Sequence, residues 1–252
     1  MLKFIKKYFF KNNHLQFAGP YENWEEAVKN STGYSSSVVL SKVEKAVINV
    51  LNDFSAYERD GTNFETLPDK NTLLQILKNI ESTKQNTILD VGGGLGSLYI
   101  NYREFFNKNN FDYIVLEQDN FIFKGTEIAN IYKLPIKFTS NLNDIENVDI
   151  VILSSTLQYF EDWEDFVQNI INKKPRHIII DRHPLSNDES KIYVQLNNNY
   201  YSEKVTYPLH ICNENEFLNT FAGYQIVKRW NSDFDPDYFK GFHFLRVEEI
   251  PN

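Results

Sequence analysis

The residues best equipped for chemistry lie in one short stretch, Asp90-Val91-Gly92-Gly93-Gly94-Leu95-Gly96. Glycines packed this closely let the chain turn tightly and bring backbone N–H groups against a ligand with no side chain between. Two ligand classes use such a loop. A dinucleotide fingerprint, G-x-G-x-x-G/A, read from Gly92 and Gly94 puts Ser97 at the third position, an imperfect fit. Asp90, Gly92, Gly94 and Gly96 spell D-x-G-x-G-x-G without a mismatch. Glu117 lies 21 residues past Gly96, at the end of the next apolar run, where its carboxylate can accept hydrogen bonds from ribose hydroxyls.

A second group follows the apolar run 177–181. His183 has the ordinary pKa of about 6.5 that suits a general base at neutral pH, and an equally good reading is a turn-capping or stacking role. His210 is the runner-up base, and His177, opening its run at the far edge, reads as structural. Arg182 offers a planar fork of donors for a phosphate or carboxylate, or a salt bridge to one of many nearby acids. Tyr193, Tyr200, Tyr201 and Tyr207 form either a stacking wall for a sugar or nucleotide or the packing of their own segment. The acids Glu161-Asp162 precede a helix, where their charge complements its dipole. No His/Asp/Glu spacing specifies a metal, and there is no Gly-x-Ser-x-Gly elbow.

These groups need strands that end at them. From Asn86 onward short apolar runs alternate with helical periods. Strands are expected at 87–91, 113–117, 136–139, 148–153 and 177–181, with helices at 97–106, 121–132 and 163–171. That rhythm implies right-handed crossovers and a parallel sheet covered on both faces. Residues 185–213 are polar and rich in Tyr and Asn, too long for an ordinary connection, and are expected to form a lid over an acceptor site. Runs 224–230 and 242–247 read as a final pair of strands, followed back across a turn at 232–237. Residues 1–81 read as a helical extension. Helices are expected from Trp24, from 38 to 51 with Ser35-Ser36-Ser37 as N-cap, and from Asn71 to Ile80.

The chain of 252 residues has 42% apolar and 24% charged residues, with 20 Phe and 15 Tyr, ample for a core. Its formal charge of -8 disfavours nucleic-acid binding, and its single cysteine, Cys212, fits cytoplasmic residence without an internal disulfide. No apolar run approaches the roughly 18 residues of a membrane span. Residues 1–11, basic and aromatic, lack the continuous apolar stretch of a signal peptide. They read as a weak membrane or partner contact, or as a helix packed on the body.

The D-x-G-x-G-x-G loop, Glu117 and the stretch from Asp149 to Phe160 resemble class I S-adenosylmethionine-dependent methyltransferases. Trp24, Ala27, the run Ser31-Thr32-Gly33-Tyr34-Ser35-Ser36, Asp181-Arg182-x-Pro184, Gln195, Tyr201 and Tyr207-Pro208 are similar to a methyltransferase family encoded among capsule and O-antigen genes. The resemblance implies an α/β, Rossmann-like class I methyltransferase fold in residues 82–252, a seven-stranded mostly parallel sheet with an antiparallel last strand. It implies S-adenosylmethionine held by Asp90, Gly92, Gly94, Gly96, Glu117, Gln118, Asn141 and Ser155. Within that implied enzyme His183, Arg182 and Tyr207 are the expected catalytic groups, and the acceptor is a sugar or phosphate-bearing precursor of a surface polysaccharide. Two alternatives stay open: a NAD-dependent oxidoreductase, and a catalytically silent scaffold of a polysaccharide-assembly complex.

Overall fold

The computed structural model describes residues 16–33, 37–80, 86–109, 111–197, 205–233 and 235–247. Tyr34, the capping serines Ser35 and Ser36, the basic segment 1–11, Tyr200 and Tyr201 lie outside them.

The expected alternation is present. Strands β4 (Asn86–Val91), β5 (Phe111–Leu116), β6 (Ile136–Thr139), β7 (Ile150–Ser154) and β8 (His177–Ser186) are parallel, in the spatial order β6-β5-β4-β7-β8. β12 (Phe239–Arg246) runs antiparallel to β8, and β11 (Tyr224–Asn231) antiparallel to β12. These seven strands are the expected mostly parallel sheet with its antiparallel last strand. Ile88, Leu89, Ile150, Ile152 and the triplet Ile178-Ile179-Ile180 have no exposed surface, as parallel strands covered on both faces require.

Helices α6 (Asp119–Tyr132) and α7 (Trp163–Asn172) follow β5 and β7. The single helix expected at 97–106 is two, α4 (Ser97–Asn101) and α5 (Arg103–Lys108). Tyr102 between them leaves helical geometry (φ -124, ψ 32), and its hydroxyl accepts from Asn71 Nδ2 at 2.8 Å. Helix α8 (Glu214–Asn219) is capped by Asn213, whose Oδ1 accepts from the Asn215 and Glu216 N–H groups.

Two departures alter the surroundings of the site. The first is in the N-terminal third, expected to be helical. Its described residues form α1 (Trp24–Lys29), α2 (Ser37–Leu51) and α3 (Thr72–Asn79), but also three strands. Val39, Val43, Val47 and Val50 make one buried stripe on α2, the 3.6-residue signature of a helix laid on a core. Strands β2 (Tyr57–Arg59) and β3 (Thr62–Phe64) form a hairpin, and β1 (Gln16–Tyr21) joins the main sheet.

The second is the expected lid. Most of 185–213 is sheet: β9 (Lys191–Asn197) and β10 (Val205–Asn213) pair antiparallel, and β1 pairs with β9. β8 outruns β7, so its last residues are free on that side. There Leu185 and Ser186 pair in parallel with Cys212 and Asn213. Among the described residues the main sheet thus has ten strands, the seven expected ones and these three. Alternation in Ile192-Tyr193-Val194-Gln195-Leu196 drives this, since Val194 is fully buried beside Ala18 and Ala27. A reciprocal pair of bonds fastens the extension: Thr32 N–H donates to Thr206 Oγ1 (3.0 Å), and Thr206 N–H to Thr32 Oγ1 (2.8 Å).

Candidate functional site

The carboxyl ends of β4, β5 and β7 converge on the glycine loop, and two adjoining cavities meet there, sharing Gly92 and Glu117. Gly92, Gly94 and Gly96 all have positive φ (68°, 60° and 86°), the region that glycine enters without strain. Their reasons differ. A Cβ on Gly92 would lie 2.5 Å from Thr156 Oγ1, so this glycine admits the loop after β7. Thr156 Oγ1 donates to the Val91 carbonyl (3.0 Å) and ties that loop to β4. A Cβ on Gly96 would lie 2.9 Å from Ile136 Cδ1, and Gly96 lines neither cavity. Its place is packing, a correction to its expected role at the ligand. Around Gly94 there is nothing within 4 Å, and the space its side chain would fill is the cavity itself.

The larger cavity, about 560 Å³, runs from Leu116 and Glu117 past Ser140 to Ser155, Tyr159 and Phe166. Gln118 and Ser155 line it as expected. Asn141 does not. Its Oδ1 accepts from Asn143 N–H and its Nδ2 donates to Asp144 (3.0 Å), so it caps a local turn, and neighbouring Ser140 lines the wall instead. Glu117 Oε2 accepts from Gln118 N–H at 2.7 Å. Burial raises its pKa, while the N–H groups of Gln118 and Gly94 pull it back.

The smaller cavity, about 160 Å³, has a different lining. Five carboxylates face it: Glu58, Asp60, Asp90, Glu117 and Asp181. Burial pushes Asp90 up to about 7, against a 2.6 Å bond from the Tyr113 hydroxyl. Burial takes Asp181 to about 6, against Arg182 and the Trp230 indole N–H, which donates to Asp181 Oδ1 at 3.0 Å. Two guanidinium groups accompany the acids. Arg59 lies over the Phe64 ring. Arg182, held at φ 56, is forked onto Asp60 (2.6 Å) and also bonds Asp235 (2.8 Å). Its alternatives resolve in favour of the salt bridge.

The expected base is elsewhere. His183 is 1% exposed, stacks on Phe217 at 4.3 Å and lines neither cavity. Burial drives its pKa down to about 3, so it is a neutral core ring. Arg182 leaves extended geometry where the register of β8 with β12 slips between Lys240 and Phe242. This bulge turns His183 to the face of Ile180 and Phe217, away from the cavity that Asp181 and Arg182 line. His210 stacks on Trp24, with Nε2 at 3.2 Å from the Glu161 carbonyl, and is also outside the cavities. His177 sits at the amino end of the sheet against His243, the structural position expected. Tyr207 is buried behind Tyr159, edge to face at 5.0 Å, and Tyr159 is the residue at the cavity surface. The β9–β10 extension therefore backs this wall, through Tyr159 OH donating to Gln195 Oε1 (3.1 Å).

Sequence reasoning missed the hairpin that brings Tyr57, Glu58, Arg59 and Asp60 to the smaller cavity. A signal existed: Asp60-Gly61 flanked by Tyr57 and Phe64 is the Asp-Gly turn of a two-residue hairpin, with Asp60 and Gly61 both at positive φ. Among the described residues no group of three or more His, Cys, Asp or Glu is placed to hold a metal ion, and no helix is long and apolar enough to cross a membrane.

No protein-family model matches the chain, and no curated protein matches it. Solved structures do. The 1,6-didemethyltoxoflavin-N1-methyltransferase of Burkholderia thailandensis, crystallised with 1,6-didemethyltoxoflavin and S-adenosylhomocysteine, is 11% identical with a TM-score of 0.51, over 95% of this chain and 99% of that one. The glycopeptide N-methyltransferase MtfA, complexed with S-adenosyl-L-methionine, is 7% identical with a TM-score of 0.51, over 70% and 93%. A protein described as a pericyclic reaction enzyme is 13% identical at 0.51, the match covering 82% of this chain and 64% of that one. At such identities the likeness establishes the Rossmann-like fold of these proteins for this chain.

Proposed function

We propose that the protein binds S-adenosylmethionine and transfers its methyl group to an oxygen of a surface-polysaccharide sugar or of its precursor. One observation carries the cofactor reading: the glycine loop separates a half-apolar cavity bearing a ribose-type acid from a cavity rich in carboxylates. A ligand lying across Gly94 must then join a nucleoside to a positively charged arm, which describes an adenosyl sulfonium. The anionic pyrophosphate of NAD would meet Asp90, Glu117 and Asp181, with Arg182 already engaged by two aspartates. The neighbours that were crystallised with S-adenosylmethionine or S-adenosylhomocysteine add support at the level of fold.

When bound, the cofactor supplies a methyl on an already activated sulfonium sulfur. Glu117 would accept from the ribose hydroxyls, Gln118 and Ser140 flank the base, and the loop N–H groups close on the ligand across Gly94. The chain's main task is orientation, because attack requires the acceptor oxygen about 3–3.5 Å from the methyl and in line. With His183 in the core, the proton of an alcohol acceptor goes to a cavity carboxylate near neutrality or to water. The shortage of free cations favours an uncharged hydroxyl over a phosphate as acceptor. The similarity of Trp24, Asp181-Arg182 and Tyr207-Pro208 to the polysaccharide-associated family is what supports a glycan.

Calorimetric titration with S-adenosylhomocysteine, with NAD in parallel, tests the reading. Saturable heat with the former alone is expected. Binding of NAD alone would transfer the case to a dehydrogenase.

A further inference from the structure

The carboxylates of the smaller cavity are not alike. Asp90 receives the Tyr113 hydroxyl, Glu117 the Gln118 N–H, Asp181 the Trp230 indole and Asp60 the Arg182 fork. Glu58 has one oxygen in use: Oε1 accepts from the Gly61 N–H at 2.7 Å and closes the hairpin turn. Its Oε2 is buried and makes no hydrogen bond of ordinary geometry, with the Ser97 hydroxyl close to the carboxylate, in a residue 2% exposed that lines the cavity. A glutamine would hold Gly61 as well, so the turn does not explain a carboxylate. A buried carboxylate oxygen left bare costs free energy unless a partner arrives.

Its position is fixed from both sides. Glu58 N–H donates to Asn101 Oδ1 (2.9 Å) and Asn101 Nδ2 donates back to the Glu58 carbonyl (2.7 Å). Asn101 ends α4, and Ser97, which opens α4 directly after Gly96, lies beside the Glu58 carboxylate. Glu58 therefore stands over the helix that the glycine loop begins. The protein's own cations nearby are Arg59, over Phe64, Arg182, forked onto Asp60, and Lys42, whose side chain packs beside Gly61 and interacts with Asp60.

Resting on the cofactor reading above, we propose that Glu58 is the counter-charge for the ammonium group of an amino-acid arm laid across the glycine loop. Recognition of this arm thus comes from a hairpin outside the parallel sheet. Burial pushes the Glu58 pKa up to about 7, with the Ser97 hydroxyl and the Gly61 N–H pulling it back, so an arriving cation would favour the ionised form. Asp60, Arg59 and Arg182 face the same space, as do Asp90 and Glu117 across the cavity.

The test uses two ligands on the whole chain: S-adenosylhomocysteine, and 5′-deoxy-5′-methylthioadenosine, which keeps the nucleoside thioether and lacks the amino-acid arm. Glu58→Gln is isosteric and retains an oxygen for Gly61. It is expected to weaken S-adenosylhomocysteine by roughly tenfold to a hundredfold, the scale of a charge-assisted hydrogen bond. Methylthioadenosine affinity should be unchanged, which also reports an intact fold. Glu58→Asp, keeping the charge at shorter reach, should fall between. Equal losses for both ligands, or no loss for either, would overturn the proposal. If the unmodified protein binds neither ligand, the cofactor reading itself fails, an outcome distinct from the other two.

Discussion

Substituting Gly92 and Gly94 separates what the loop does for the fold from what it does for a ligand. Both have positive φ, so an alanine at either strains the backbone by about 1–2 kcal/mol. At Gly94 that is the whole cost, since the new methyl meets nothing within 4 Å. The melting temperature should fall by roughly 2–4 °C per kcal/mol, hence by about 2–8 °C in a chain of this size. At Gly92 the methyl would press on Thr156 at 2.5 Å and dislodge the hydroxyl that ties β7's loop to β4. Overpacking adds about 1–3 kcal/mol to the strain, for a total of about 2–5 kcal/mol. Binding should rank the other way in protein that stays folded. The Gly94→Ala methyl holds a ligand off the loop N–H groups. Losing one charge-assisted bond of about 1.5–3 kcal/mol weakens S-adenosylhomocysteine by roughly 10- to 150-fold. Urea unfolding and calorimetry on both variants read the two effects. Wild-type affinity in Gly94→Ala, or wild-type stability in Gly92→Ala, would refute the assignment.

Glu58 ties stability to pH: its folded pKa of about 7 exceeds its ordinary 4.5, so the folded state keeps a proton that the unfolded chain releases. Stability from this group is complete below about pH 4.5 and is lost as pH rises through 7. Glu58→Gln should therefore be more stable than wild type at pH 8, by on the order of 2–3 kcal/mol in urea unfolding, with little difference at pH 5. Arg182→Ala should destabilise by about 2–3 kcal/mol, measured the same way. It leaves the largely buried Asp235 with the Ser232 hydroxyl but no cation, whereas Asp60, with its side chain 49% exposed, can recover water. His183→Phe should leave S-adenosylhomocysteine affinity within about twofold, because the ring stacks on Phe217 with no polar bond at Nε2. Loss of binding in a folded His183→Phe would return the histidine to the site.

Much of the frame was readable because burial on both faces writes continuous apolar runs. Ile88-Leu89, Ile150 to Leu153 and Ile178 to Ile180 mark their strands directly. The loop and Glu117 followed from spacing, since a tight turn between strand and helix tolerates few residues other than glycine. What was not readable depends on partners far away in the chain. The face of β8 on which His183 falls is set by the bulge at Arg182 against β12, not by the imidazole's chemistry. Asn141 has the right place in sequence, but Asp144, three residues on, claims its amide. The segment after Asp181 looked like a loop because its polar tyrosines and glutamine are satisfied by one another, as Gln195 is by Tyr159, Tyr207 and Asn197. Polar residues that pair internally carry no hydrophobic signature of the strand they occupy. The hairpin of Glu58 was missed for another reason: three-residue strands are too short to show a period.

The clasp between Thr32 and Thr206 has a consequence for biosynthesis. The two residues are 174 apart, and at about 5–20 residues per second Thr32 is made roughly 9–35 s before its partner. For most of that interval β1 has no β9 to lie against, and Phe17, 1% exposed in the finished protein, lacks the Tyr193, Leu209 and Ile211 that cover it. The parallel strands β4 to β7 can assemble meanwhile, since their partners are close behind one another. The first described strand of the sheet is thus among the last to dock. A nascent chain arrested before Lys191 would display that apolar edge to chaperones and to other nascent chains.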